Sequence, residues 1–200
     1  MHADYSVDLG RKDPALELPW SSDDGVSRYY DLKRHPDLVL QIPEAVSSPE
    51  LSAFLTRINA QGFPLQTAKC DTWPSREITS EEEIFGATQK FVSYVDLVFA
   101  APAFEGVGFE GVNPRLSLDR HEALAKSLCG LLQRAPEIAA AVELVIRRCY
   151  YHPDDNPTES ASGFCITTYV SGFGEDEAEA RKRWSIALTL LQHALVQVVR

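Results

Sequence analysis

"VELVIRRCYYH", residues 142–152, is the stretch on which the fold turns. β-Branched and aromatic residues dominate it, and polar sequence follows it, so it reads as a strand. Side chains along a strand point alternately to its two faces. The side taken by Cys149 therefore decides which neighbours meet a core and which meet solvent or a partner. A second stretch, "FPLQTAKCDTW" (63–73), repeats the arrangement: a cysteine inside a strand-like run, a cation just before it, an aromatic soon after. We read Cys70 and Cys149 as one structural position used twice.

A helix precedes each stretch. Over 49–60, Leu51, Phe54, Leu55 and Ile58 form one apolar stripe. Ser48 suits its N-cap, Pro49 its first turn, and Gly62 the left-handed position past its end. Strands follow at 65–73 and at "KFVSYVDLVFA" (90–100), with a helical turn at 81–85 where Ser80 and Glu83 have capping-box spacing. A second helix spans 120–134, capped by Asp119 and Glu122 and ended before Pro136; its stripe is Leu124, Leu128, Leu131 and Leu132. Strands "AVELVIRRCYY" (141–151) and "GFCITTYVSG" (163–172) come next, joined by the polar loop "HPDDNPTESAS" (152–162). The last helix, 175–199, carries acids in its first turn, which complement the helix dipole.

The expected fold is α+β: an antiparallel sheet with helices packed on one face, in the order α-β-β-α-β-β-α. Residues 47–200 form one domain, and its halves, 47–100 and 115–172, read as an internal duplication. Residues 1–46 are an N-terminal extension packing on it. Its stretch 14–46 is Pro-rich and irregular, with a small hairpin turning at "SSDDG" (21–25) and a short strand at "DLVLQI" (37–42).

With both thiols turned under the helices, alternation puts Ala68, Cys70, Val95, Leu97, Val145, Cys149, Ile166 and Val170 inward. Outward go Lys69, Asp71, Trp73, Tyr94, Asp96, Arg148, Tyr150, His152, Thr167 and Tyr169, a face rich in cations, carboxylates and aromatics. The same rule sends Leu144 and Ile146 outward and Glu143 and Arg147 inward. An outer face carrying such apolar residues needs a cover, from the N-terminal segment or a second copy of the chain.

Composition removes several function classes. Hydrophobic residues make up 44% and charged residues 24%, an ordinary globular balance that excludes disorder along the whole chain. The net charge of −10, from 29 acids against 19 bases, repels phosphate backbones and anionic lipid, so neither nucleic acid nor membrane is expected as a partner. No apolar segment follows Met1, and the run "VDLVFAAPAF" (95–104) is too short to span a bilayer. Together with four cysteines lacking disulfide-framework spacing, this predicts a cytoplasmic protein with reduced thiols.

The short motifs weaken on inspection. "GVGFEG" (106–111) matches a dinucleotide fingerprint in letters only, since neither a strand feeds it nor a helix opens from it. "SGFGEDE" (171–177) places acids where a helix would meet phosphate. Cys149 and His152, three apart on a strand, point to opposite faces. Paired C-x-x-C and H-E-x-x-H are absent, and "HPDDN" (152–156) reads as a solvated turn. No cofactor and no metal is predicted. The function expected is a non-catalytic binding or homo-assembly module, dimerising through the outer sheet face. The alternative is a small-molecule enzyme or ligand-sensing domain on that face, with Asp71 or Asp96 as acid/base, Lys69 or Arg148 holding an anionic group, and Trp73 and Tyr150 as walls.

Overall fold

A computed structural model describes residues 1–100, 113–152 and 160–199. In chain order its elements are β1 (His2–Asp8), β2 (Leu16–Leu18), α1 (Pro43–Ser47), α2 (Pro49–Ile58), β3 (Leu65–Ser75), β4 (Gln89–Phe99), α3 (Leu118–Leu132), β5 (Ala140–Tyr151), β6 (Ala161–Gly174) and α4 (Glu177–Val198). Single 3-10 turns occupy Pro36–Gln41, Glu82–Phe85 and Pro114–Leu116. The glycine-rich motif at 106–111 and most of the 152–162 loop lie outside the described residues.

Local chemistry explains the helix boundaries. The Ser48 hydroxyl accepts from the Leu51 amide at 3.5 Å, and Pro49 occupies the first turn of α2, where no amide donor is needed. Gly62 follows at φ 78°, a conformation glycine adopts without strain. Ser117, not Asp119, caps α3 by accepting from the Arg120 amide. Asp176 caps α4 through the Glu179 amide at 2.8 Å. The strand expected at 37–42 is a 3-10 turn instead, with Pro36 at its first position.

The sheet runs β1-β5-β6-β4-β3, with β2 also paired to β5. The four strands from β3 to β6 are antiparallel to their neighbours, but β1 and β2 both run parallel to β5. The sheet is therefore mixed rather than purely antiparallel. The N-terminal segment supplies that difference: its backbone satisfies the outer edge of β5.

The helices lie on one face. Their buried side chains, among them Phe54, Leu128, Trp184 and Leu191, join Phe91, Val95, Leu97, Val142, Leu144, Ile146, Ile166 and Val170 in the main core. A second apolar cluster, Leu16, Leu18, Ala68, Val98, Cys149, Tyr151 and Cys165, fills part of the opposite face with Trp20 and Tyr29 against it. We call this the far face.

Cys149 thus turns away from the helices, with Val145, while Leu144 and Ile146 turn under them: the reverse of the expected facing of β5. Burying a Leu, Ile or Val side chain is worth about 1.5–3 kcal/mol, so Val142, Leu144 and Ile146 together outweigh one thiol. Ala68 is corrected for another reason. The pairing of β3 with β4 shifts between Thr67 and Cys70, a bulge that returns Cys70 to the helix side beside Val95 and leaves Ala68 on the far face. Cys70 and Cys149 face opposite sides and are not equivalent positions.

Candidate functional site

The far face carries its polar chemistry in rows. Asp71, Tyr94, Tyr169 and Glu143 lie in register across β3, β4, β6 and β5. The Tyr94 ring is 6.2 Å from Trp73 and 6.1 Å from Tyr169. The Arg147 guanidinium sits 5.5 Å over the Tyr169 ring and donates to its hydroxyl at 3.1 Å. In the next row Thr167 donates to the Asp96 carboxylate at 2.5 Å. Asp96 is 6% exposed, and burial pushes its carboxyl above the ordinary range; the Thr167 hydrogen bond and the charges of Arg147 and Lys69 offset this only in part.

The chain leaving β2 crosses this face from the β5 side to the β3 side. There the Trp20 indole donates to the Ala68 carbonyl at 2.8 Å, and the Tyr29 hydroxyl accepts from Gln66 at 3.0 Å. Between them the expected hairpin forms: Ser22 donates to the Ser27 carbonyl and Tyr29 to the Trp20 carbonyl, both at 2.8 Å, with Gly25 at φ 69° in the turn. The chain then wraps the β3 edge to the helix side. Leu32 buries in the main core, and the Lys33 ammonium donates to the Ala60 and Phe63 carbonyls past the end of α2.

This strap encloses a cleft of about 790 Å³ against the β3 edge. Cys70, Asp71, Thr67, Leu55 and Tyr94 form its floor. Trp20 and the hairpin residue Ser27 line one side and Gln41, Ile42 and Pro43 the other, with Glu44 half-buried among the lining residues and Arg28 exposed. Its size falls in the range of small-molecule and side-chain pockets. The edge itself is guarded by the bulge, by exposed Lys69 and Pro74, and by the strap, devices that discourage strand-to-strand aggregation.

No family model, curated protein or solved structure matches the chain.

Of the outer residues expected from sequence, Lys69, Asp71, Trp73, Tyr94, Asp96, Thr167 and Tyr169 do gather at this end of the far face. Lys69 sits at the bulge with its ammonium 4.9 Å over the Trp20 ring. Arg148, Tyr150 and His152 do not join them, because β5 faces the other way. Arg148 is exposed and donates to the Leu9 carbonyl at 2.8 Å. Tyr150 pairs with Ser162 and Glu17 near the end of β5. His152 lines a separate hollow with Asn113, Arg115 and Tyr151. Arg147 takes the place expected for Arg148. The alternation that buries Leu144 and Ile146 together would have located it. Trp20, Arg28, Tyr30 and Glu44 escape sequence reading, since nothing local says where the extension lies.

Two titrating groups of the cleft floor, the Cys70 thiol and the Tyr94 hydroxyl, are raised rather than lowered. Burial, then the carboxylates of Glu44, Asp71 and Asp96, push the Cys70 thiol up to about 12. A thiol needs a lowered value to act as a nucleophile. Burial and the same Asp96 and Asp71 charges raise the Tyr94 hydroxyl. Among the described residues, no histidine lines the cleft. Asp96 is not part of its lining either. Among the described residues, no group of three or more His, Cys, Asp or Glu is placed to hold a metal ion, and no helix is long and apolar enough to cross a membrane.

Proposed function

We propose that this chain is a non-catalytic binding module whose ligand seats in the cleft at the β3 edge. The observation that carries the reading is a cleft of about 790 Å³ in which the Cys70 thiol is held protonated by burial and three nearby carboxylates. Aromatic side chains in its lining, Trp20, Tyr30 and Tyr94, offer large contact area at low conformational cost, and such residues dominate binding hot spots.

Asp71 is the one acid of the enzyme alternative that reaches the cleft. A hetero-partner or ligand fits better than self-assembly. The strap already covers the apolar part of the far face, the β3 edge is guarded, and a charge of −10 opposes two copies meeting. The sheet order, with the second strand of each hairpin at the centre, is what duplication of a helix–hairpin unit would produce. The opposite facing of the two thiols speaks against position-by-position equivalence.

The test is a thermal-shift screen of cationic, anionic and neutral small molecules and peptides on the wild type and on Ser27→Trp, which plugs the cleft. Reproducible stabilisation of the wild type alone supports the reading. It fails if nothing stabilises the wild type or if the plugged variant responds equally. Turnover of a hit would move the protein to the enzymes.

A further inference from the structure

We propose that the cleft receives an arginine or lysine side chain from an extended, basic protein segment, seated on the cleft floor against Glu44, Asp71 and the Tyr94 ring. This rests on the binding reading and adds the ligand's chemistry to it.

The charges in the cleft are layered. Glu44 and Asp71 are half-buried at the floor, whereas Lys69 and Arg28 are exposed at the rim. Both rim cations are already placed over rings: the Lys69 ammonium 4.9 Å from Trp20 and the Arg28 guanidinium 5.5 Å from Tyr30. Among the described residues, neither forms an ion pair with a cleft acid, and Glu44 and Asp71 have no cationic partner. Among the described residues, the one hydrogen bond to the Asp71 carboxylate comes from the next amide, Thr72. After burial, the carboxylates of Glu44, Asp71 and Asp96 all act to raise the Cys70 thiol.

A guanidinium or ammonium meeting carboxylates in a partly enclosed site gains charge-assisted hydrogen bonds, and an aromatic ring beside it adds cation–π attraction. The net charge of −10 draws cations from a distance. A carboxylate or phosphate ligand would be drawn to Lys69 and Arg28 but would be repelled by Glu44 and Asp71 deeper in the cleft. The volume exceeds what a single charged head needs, which favours a side chain delivered with flanking backbone over a lone ion.

The probes are three acetylated, amidated peptides, GSRGSRGS, GSQGSQGS and GSEGSEGS, together with spermidine, titrated calorimetrically at low and at physiological salt. We expect the arginine peptide to bind at least about tenfold tighter than the glutamine peptide, and added salt to weaken it. We expect Glu44→Gln/Asp71→Asn to lose about tenfold for the arginine peptide alone. The unfolding midpoint of that variant is read alongside, and the wild-type comparison decides if the variant does not fold. Equal binding of the arginine and glutamine peptides, or tighter binding of the glutamate peptide, overturns the proposal and leaves the binding reading standing. Spermidine binding as tightly as the arginine peptide overturns the protein-segment source. No binding by any probe overturns the proposal; if the broader screen is also silent, the binding reading falls with it.

Discussion

Gly172→Ala tests the facing on which the whole site depends. Gly172 lies on the helix side of β6, in step with Ile166, Thr168 and Val170, which leaves Thr167 and Tyr169 on the far face. α4 is seated directly on it. An added Cβ would stand 2.7 Å from the Trp184 Cα, and closer still to the Trp184 amide nitrogen and the Ala180 carbonyl oxygen. Ordinary carbon contacts are about 3.5–4.0 Å, so α4 must retreat by about 1 Å. The obstacle is helix backbone, so no side-chain rotation relieves it. The same retreat stretches the buried hydrogen bond from the Trp184 indole to the Ser93 hydroxyl, now 2.8 Å, beyond useful length. Overpacking costs about 1–3 kcal/mol, and leaving that buried donor unpaired about as much again. A loss of about 3 kcal/mol would lower the melting temperature by roughly 6–12 °C in a chain of this size. Urea unfolding followed by tryptophan fluorescence and by far-ultraviolet circular dichroism reads the loss directly. Ser171→Ala, one position along and on the far face, should stay within about 0.5 kcal/mol of wild type. If Gly172→Ala costs less than about 1 kcal/mol with an unchanged denaturant slope, α4 does not sit on that glycine. The assignment of Thr167 and Tyr169 to the site would then go with it.

Two further outcomes follow from the buried titrating groups. Asp96 has its carboxyl raised by burial, so its ionisation opposes folding: stability falls as pH rises from the unfolded value near 3.8 through the folded one. Asp96→Asn should therefore be as stable as wild type or more so at pH 7, with the advantage gone below about pH 4, where both states hold the proton. A loss above about 1 kcal/mol at neutral pH would mean instead that Arg147 and Lys69 stabilise an ionised Asp96. His121, 1% exposed between Phe99 and Phe164 with Nδ1 2.7 Å from the Ser117 carbonyl, is pulled down by burial. Its neutral form is the folded one, so its contribution is complete above the ordinary value near 6.5 and is lost as pH falls below it. Unfolding free energies at neutral and mildly acid pH should show that drop in wild type and not in His121→Phe; equal slopes would refute it.

The local elements were legible because each carries its own signal. Ser48 and Pro49 open a helix wherever the chain goes, and the stripe of Leu51, Phe54, Leu55 and Ile58 declares one buried face. The acids opening the last helix and the hairpin turning at residues 21–25 are likewise decided by side chains a few residues apart. The strands of the extension were not legible. β1 is short and polar and depends on the edge of β5, more than 130 residues away in the chain. The candidate site was legible where β4 and β6 supply it, since Tyr94, Asp96, Thr167 and Tyr169 follow from simple alternation. It was misread on β5, where the thiol of Cys149 was allowed to outvote Leu144 and Ile146.

Residue pattern alone specified the three longer helices, the four long strands, the acidic charge and the absence of a recognisable catalytic motif. These rest on periodicity, capping and composition, which act within a few residues. Only the tertiary structure decided which face of β5 turns inward, where the bulge at Thr67–Cys70 falls, and that residues 19–30 cross the sheet to build a cleft. Alternation divides a strand into two sets without saying which is buried. That choice belongs to the summed burial of partners far off in the chain, and the site exists only after it is made.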